Sequence, residues 1–334
     1  MTTEAPGEGP QRADGGAVRP TWGFELRRPD GVSIWYDVTA SARPGAPWLV
    51  LCPPAGRNAA YWAPELLDEL ARSHAVVRLD WRGQGRSSWA VGVAGADGVD
   101  DLAGAMVEDL VAVCVAATGA GSAAVRLLGV GFGGWLALQA ARRLAGASPA
   151  TAVAGPGNRP AVVAVGSSAW YADPRHPGPS EPTVVALVLR RRSAAGADQT
   201  RLLARKLRAE LAPAELDAPD VGPRLRREVA RWVAHGFNPE DAHRVAWLAA
   251  PPLAVAAERE VASDAAVVVV HGVEDPVVPI AHGRRLAASL GVVCREVPGA
   301  GHHLGPSLWP AVLDALRSFD DAPPDGGANP ATTG

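Results

Sequence analysis

The chain has 334 residues, of which 48% are hydrophobic and 20% charged, and its formal net charge at pH 7 is -3. A chain of this length and composition is expected to bury one large α/β core, or a core with a small cap. The slight negative charge gives no overall basic field, so nucleic acid and anionic membrane surfaces are not expected as partners. No signal-peptide pattern or membrane-length apolar run is found, so the expected location is cytoplasmic.

The cysteines and the glycine-rich stretches give no sign of a metal or a cofactor. Cys52, Cys114 and Cys294 are far apart and odd in number, which favours reduced thiols over a disulfide or a metal site. No phosphate-binding loop follows the first strand pattern, and no His, Cys and Asp cluster has the spacing of metal ligands. We therefore expect neither a nucleotide cofactor nor a metal.

Strand and helix patterns alternate between two tails, residues 1–20 and 321–334, whose Gly, Ala and Pro content without periodicity predicts disorder. The predicted strands are Trp22–Arg28, Val32–Val38, Trp48–Cys52, Ala75–Leu79, Val125–Val130, Ala161–Val165, Ala265–His271 and Val292–Val297. The predicted helices are Ala60–Arg72, Asp101–Ala117, Phe132–Leu144, Ala281–Leu290 and Pro306–Phe319. Near-continuous Val and Leu runs that alternate with helices favour a mostly parallel sheet covered on both faces.

One long segment, residues 170–252, interrupts this alternation. It shows helical stretches at Asp198–Leu211, Pro223–His235 and Pro239–Ala249, separated by turns rich in Pro. Because the segment follows the sixth predicted strand, we expect it to form a helical cap over one end of the sheet. The α/β core is then built from residues 21–169 and 253–320.

Four motifs follow the ends of predicted strands. Residues 79–88 match D-x-R-G-x-G-x-S, residues 129–134 match G-x-S-x-G except at Gly131, residues 271–279 match H-G-x-x-D-x-x-x-P, and residues 298–303 match P-G-x-G-H. In this order they resemble the α/β-hydrolase superfamily over about residues 22–319. The resemblance implies an α/β-hydrolase fold with a mostly parallel eight-stranded sheet, flanking helices and a cap inserted after the sixth strand.

The second motif departs from the family, since Gly131 stands where the nucleophilic serine belongs. The neighbouring Gly129, Gly133 and Gly134 still permit the sharp turn from strand to helix. Loss of the serine from a Ser-His-Asp triad costs about 10⁶ in turnover, so an ordinary acyl-enzyme route is excluded here.

The resemblance also implies a base and the acid that orients it. In the histidine loop, His302 is the family's base, with His303 as the alternative beside it. In the acid loop, Asp275 is the family's acid, and Glu274 is its neighbour on the wrong side of the loop. An acid in this role selects the imidazole tautomer and supports its positive charge.

Two backbone amides are candidates for an oxyanion hole. The Phe132 amide begins the helix after the elbow, and the first N–H groups of that helix and the positive end of its dipole point towards the same region. The loop Pro53-Pro54-Ala55-Gly56-Arg57 is similar to the equivalent loop of editing thioesterases, and Ala55 is its first residue with an N–H. We therefore predict that Gly131, Phe132 and Ala55 contact the substrate.

Three functions are compatible with these residues. The first is a non-covalent enzyme in which His302 and Asp275 act as a general base for elimination, cyclisation or water-mediated hydrolysis, with a contribution of about 10²–10⁴. The second is a catalytically silent protein that binds a ligand or serves as a scaffold. The third is a hydrolase with a displaced nucleophile, for which Ser167 and Ser168 after the sixth strand are the candidates. The first is favoured, because a silent protein gains nothing from a buried Asp-His pair.

The substrate is expected to be a small, largely apolar or aromatic molecule. Aromatic residues of the predicted cap either roof such a ligand or fasten the cap to the core: Trp170, Tyr171, Trp232, Phe237 and Trp247. The cap and the stretches Ala281-His282-Gly283 and Gly299-Ala300-Gly301-His302 are similar to methylesterase-like hydrolases of actinobacterial polyketide pathways. That similarity implies a place in bacterial secondary metabolism, while the oligomeric state stays open.

Overall fold

The computed structural model describes residues 20–88, 102–119, 125–146, 159–171, 197–236 and 265–320. The two predicted tails lie outside these ranges, apart from Pro20. So do residues 172–196 and 237–264, which include the predicted helix Pro239–Ala249 and the aromatic residues Phe237 and Trp247.

Eight strands form one sheet in the spatial order β1-β2-β4-β3-β5-β6-β7-β8. They are β1 (Thr21–Arg27), β2 (Ser33–Thr39), β3 (Trp48–Cys52), β4 (Ala75–Leu79), β5 (Val125–Val130), β6 (Ala161–Val165), β7 (Ala266–Gly272) and β8 (Cys294–Val297). The strand β2 runs antiparallel to both β1 and β4, and all the other neighbouring strands are parallel. The predicted mostly parallel eight-stranded sheet is confirmed.

Helices cover both faces of the sheet. The helices that precede β6 or follow β7 are α1 (Pro64–Leu70), α2 (Leu102–Thr118), α3 (Phe132–Gly146), α7 (Ile280–Leu290) and α8 (Trp309–Ser318). One apolar cluster packs α2, α3 and α7 against the sheet, and a second packs α1 and α8 on the opposite face. Successive residues of β3 alternate between the two clusters, and β5 and β6 are buried throughout, as parallel strands between two helical layers require.

Several predicted boundaries differ from the structure by one or more residues, and three of these differences have a clear local reason. The predicted helix Ala60–Arg72 is a 3-10 turn at Ala59–Tyr61 followed by α1, because Pro64 disfavours helical backbone in the residue before it, Ala63 (φ -64, ψ 137). The last helix begins three residues late, at Trp309, after a turn in which the Leu308 amide donates to Gly305. The strand β8 begins two residues late, because Gly291 ends α7 in the left-handed conformation and the Val292 amide still bonds to Ala287.

Between β6 and β7, residues 197–236 form an insertion segment of three helices: α4 (Ala197–Ala209), α5 (Pro213–Leu216) and α6 (Val221–Ala234). The residues Leu225, Val229 and Trp232 form one buried face of α6, with the spacing of an amphipathic helix. This face packs against the 3-10 turn after β3, where the Trp232 indole donates to the carbonyl of Ala60 at 3.1 Å. The indole therefore fastens the insertion segment to the core.

In the part of the chain that the structure describes, no helix has both the length and the apolar character needed to span a membrane.

Candidate active site

The turn after β5 keeps the form of a nucleophile elbow although it has no serine. Gly131 has a φ of +54°, in the left-handed region that L side chains rarely adopt. A Cβ on Gly129 would lie 2.4 Å from the carbonyl oxygen of Gly133, and a Cβ on Gly133 would lie 2.2 Å from that of Cys52. Strand, turn and helix therefore approach each other more closely than residues with side chains would permit.

His302 faces Gly131 directly. A Cβ built on Gly131 lies 3.2 Å from Nε2 of His302 and 3.8 Å from Cβ of Pro54. On the other side of the ring, Nδ1 lies 2.8 Å from Oδ2 of Asp275, to which it donates a hydrogen bond. This bond selects the tautomer in which the neutral ring keeps its lone pair on Nε2, towards residue 131.

The carboxylate of Asp275 is held in place from several sides. Its Oδ1 accepts hydrogen bonds from the amides of Val277 and Val278, both at 2.8 Å. The His271 side chain donates from Nε2 to the Val278 carbonyl at 2.7 Å, and the same nitrogen lies 3.4 Å from Oδ2 of Asp275. Glu274, by contrast, accepts a bond from the Gly299 amide at 2.6 Å.

The electrostatics favour a charged pair. Burial acts to raise the pKa of Asp275, but His302 and His271 outweigh it and hold the pKa well below its ordinary value. Burial acts to lower the pKa of His302, but the charge and hydrogen bond of Asp275, together with the charge of Glu210, raise the pKa above 6.5. The imidazole is therefore a stronger base than an isolated histidine.

The structure brings the two candidate oxyanion loops to the same place. The Phe132 amide is the first of α3 and has no partner inside the helix, because the first amides of a helix lack a preceding turn. The loop after β3 borders Gly131 through Pro54, and Ala55 is half-buried in it. Trp81 pins this loop by donating from its indole to the Pro53 carbonyl at 3.0 Å.

The hydroxyls of Ser167 and Ser168 are bonded elsewhere. Ser167 Oγ donates to the carbonyl oxygens of Gly131, at 2.9 Å, and Val165, at 3.1 Å. Ser168 Oγ is bonded to Nδ1 of His282 at 2.9 Å. Among the contacts of the described residues, neither hydroxyl is bonded to His302, and both serines are buried. This arrangement gives the displaced-nucleophile hypothesis no support.

A group of buried charges next to the histidine loop was not predicted from the sequence. Arg57 and Glu210 form an ion pair at 2.7 Å, although only 2% and 8% of their side chains are exposed. His303, the alternative base, turns to the same group: its Nε2 lies 3.0 Å from Glu228 Oε2 and its ring contacts Tyr61 edge-on. Glu210 and Glu228 belong to predicted amphipathic helical stretches. An acidic residue on the apolar side of such a stretch is the one sequence feature that could have indicated these buried charges.

The described ranges contain no group of three His, Cys, Asp or Glu side chains that could hold a metal ion. The three cysteines are free thiols, and burial raises the pKa of Cys114 to about 12 and that of Cys294 to about 11.

This sheet order, the elbow after β5 and a histidine-acid pair after the last strands define the α/β-hydrolase class of fold. The sequence profile of the alpha/beta hydrolase family matches residues 49–315. The chain belongs to this family. No curated protein sequence matches the chain.

Solved structures that resemble the chain come from the same fold. A hydrolase from Pseudomonas aeruginosa PA01 is 24% identical, with a TM-score of 0.62 over 90% of this chain and 98% of that one. An esterase from Rhodococcus sp. ECU1013 is 21% identical, with a TM-score of 0.65 over 90% and 98% of the two chains. A 2-hydroxy-6-oxo-6-phenylhexa-2,4-dienoate hydrolase from Rhodococcus sp. strain RHA1 is 18% identical, with a TM-score of 0.64 over 91% and 100%. At these identities the similarity shows the fold alone.

Proposed function

We propose that this protein is a non-covalent enzyme in which His302, oriented by Asp275, acts as a general base on a small, largely apolar substrate. One observation carries the proposal: Nε2 of His302 points at the position of the missing side chain, 3.2 Å from a Cβ built on Gly131, while Nδ1 is held by Asp275 at 2.8 Å. This geometry supports a base and an orienting acid that act beside a position without a serine.

Nε2 of His302 accepts a proton either from a water molecule or from a group of the substrate. In hydrolysis, Nε2 takes a proton from water as the water oxygen bonds to the carbonyl carbon, and the imidazolium returns the proton to the leaving group. In elimination or cyclisation, Nε2 takes the proton from a C–H or O–H of the substrate itself. General-base catalysis contributes about 10²–10⁴, which suits an activated substrate.

The surroundings of the site agree with an apolar substrate and a developing negative charge. The Phe132 amide and the loop of Ala55 flank Gly131, where an oxyanion would form in the hydrolytic case. The ring of Phe132 stacks on Trp135 with centroids 5.5 Å apart, and the ring of Tyr171 is edge-on to Phe132 with centroids 6.5 Å apart. The esterase and the dienoate hydrolase of this fold support a small-molecule substrate, and we propose that the insertion segment covers that substrate as a cap.

Turnover of activated esters, lactones and β-hydroxycarbonyl compounds tests this function, in the wild-type protein and in the His302→Ala variant. We expect wild-type turnover that is lost in His302→Ala, and no covalent adduct of the wild-type protein in intact-mass spectra. An acyl adduct on the wild-type protein would overturn the non-covalent mechanism. Ligand binding in thermal-shift measurements without any turnover would instead assign the silent, ligand-binding alternative.

A further inference from the structure

Three consecutive amides of the histidine loop donate to one short stretch of the insertion segment. The amides of His302 and His303 both donate to the backbone carbonyl of Glu210, at 2.7 and 3.2 Å. The preceding amide, of Gly301, donates to the side-chain Oε2 of Glu215 at 3.0 Å, and that oxygen also accepts from the Ala212 amide at 2.8 Å. Residues 210–215, which we call the clamp, thus hold the backbone that carries the base.

The close approach of the clamp depends on a glycine. A Cβ on Gly301 would lie 2.5 Å from the nitrogen of Ala212 and 2.6 Å from the carbonyl oxygen of Glu210, and both are backbone atoms. A side chain at this position would push the histidine loop away from the insertion segment. By contrast, a Cβ on Gly305 in the same loop would lie 3.7 Å from its nearest neighbour, at ordinary contact distance.

The side chain of Glu210 extends the clamp to the loop that carries Ala55. Its Oε1 accepts from Nη2 of Arg57 at 2.7 Å, and Nζ of Lys206 lies 3.7 Å from the same oxygen. The guanidinium of Arg57 lies over the ring of Trp232, 4.0 Å from its centroid. Glu210, the residue directly after α4, therefore joins the histidine loop to the loop after β3 and, through Arg57, to Trp232 of α6.

We propose that Glu210 is a positioning residue: it holds His302 through its backbone carbonyl and ties the histidine loop, through Arg57, to the loop of Ala55. A catalytic base needs placement within a fraction of an ångström, and the Asp275 bond orients only the ring, whereas the clamp fixes the backbone. The consequence for turnover rests on the proposed function. The placement of His302 is measurable without any turnover.

The charge of Glu210 provides a readout that a merely structural role would not move. The charged groups acting on the His302 ring are Asp275 and Glu210, which raise its pKa, and Lys206, which lowers it. Removing the Glu210 charge in the Glu210→Gln variant should therefore lower the His302 pKa, while the backbone carbonyl stays in place. The control is Asp109→Asn, which removes another buried carboxylate, the one that pairs with Arg82 and Arg28 in a different ion-pair cluster.

The His302 pKa is measured by nitrogen-15 NMR of the imidazole rings, assigned with His302→Gln among the eight histidines of the chain. We expect a downward shift in Glu210→Gln and none in Asp109→Asn. If Glu210→Gln does not fold, Glu210→Asp takes its place; the shorter side chain retracts from Arg57 and should change the His302 resonances. Wild-type resonances and a wild-type pKa in folded Glu210→Gln, or wild-type resonances in Glu210→Asp, would overturn the role proposed for the Glu210 side chain.

The backbone contact is tested by the matched pair Gly301→Ala and Gly305→Ala. We expect Gly301→Ala to shift the His302 resonances and to lower turnover about 10- to 100-fold, because it displaces the base. Gly305→Ala should leave both unchanged. Equal effects of the two substitutions would contradict the clamp. A wild-type protein without turnover would contradict the proposed function instead. The NMR comparison would still test the clamp, because it does not depend on turnover.

Discussion

His302 and Gly131 face each other across the elbow, with Nε2 of the imidazole 3.2 Å from the position that a Cβ on Gly131 would take. This distance lies at the tight end of real Cβ contacts. The imidazole ring would have to move by only a few tenths of an ångström to accommodate a serine at this position. The serine hydroxyl would then lie next to Nε2.

The Gly131→Ser variant should therefore acquire esterase activity on p-nitrophenyl acetate and form an acyl adduct visible by mass spectrometry. Gly131→Ala is the matched control, because it adds the same Cβ without a hydroxyl. Both variants should lose about 1 kcal/mol of unfolding free energy, since φ of +54° is strained for an L residue. A folded serine variant without any gain over the alanine variant would show that the base and the oxyanion donors are not aligned.

The rate of the proposed reaction should rise with pH, since a general base acts in its neutral form. The midpoint of kcat/KM should lie above the ordinary histidine value of 6.5, because Asp275 and Glu210 raise the pKa of His302 against the effect of burial. In Asp275→Asn the midpoint should move down and turnover should fall by about 10⁴, as in triads that lose their acid. An unchanged midpoint in this variant would remove Asp275 from the mechanism.

Ser167→Ala and Ser168→Ala should each keep turnover within about ten-fold of the wild-type value, against the loss of about 10⁶ that a nucleophile would show. Ser167→Ala should still lower the unfolding free energy by about 0.5–1.5 kcal/mol, because it removes one buried hydrogen bond to the Gly131 carbonyl, which keeps the Gly134 amide as a donor. Chemical denaturation and steady-state rates measure the two effects separately. A collapse of turnover in a folded serine variant would restore the displaced-nucleophile hypothesis.

Acid should weaken the Glu210–Arg57 pair. Burial acts to raise the pKa of Glu210, but Arg57, Lys206 and the two histidines of the loop lower it from 4.5 to about 2. Because the folded-state pKa is depressed, the stabilisation is present above pH 4.5 and is lost as the pH falls towards 2.

Thermal melts of the wild-type protein and Glu210→Gln should therefore differ most near neutral pH and converge as the pH falls below 4.5. The exposed Glu296 of the Arg284 pair supplies the control, since Glu296→Gln should change the melting temperature little at any pH. A gap between wild type and Glu210→Gln that does not depend on pH would mean that the charge of Glu210 contributes nothing to stability.

Much of the architecture was predictable from local patterns. The strands β3, β4, β5 and β6 begin and end at the predicted residues, because buried parallel strands have continuous Val and Leu runs bounded by turn residues. The errors fall where proline or glycine overrides periodicity, as at Pro64 and Gly291. The catalytic roles predicted for His302, Asp275, Phe132 and Ala55 stay predictions, although the structure brings the first two together at 2.8 Å.

The sequence alone determined the fold and the absence of a serine at the elbow, because strand periodicity and motif order are local properties of the chain. Only the tertiary structure decided which way the His302 ring faces and what holds its loop. The ion pair of Arg57 with Glu210 joins residues 153 positions apart, and such a contact exists only once the insertion segment packs against the core. No local pattern specifies that packing, since it depends on the burial of charge between elements distant in the sequence.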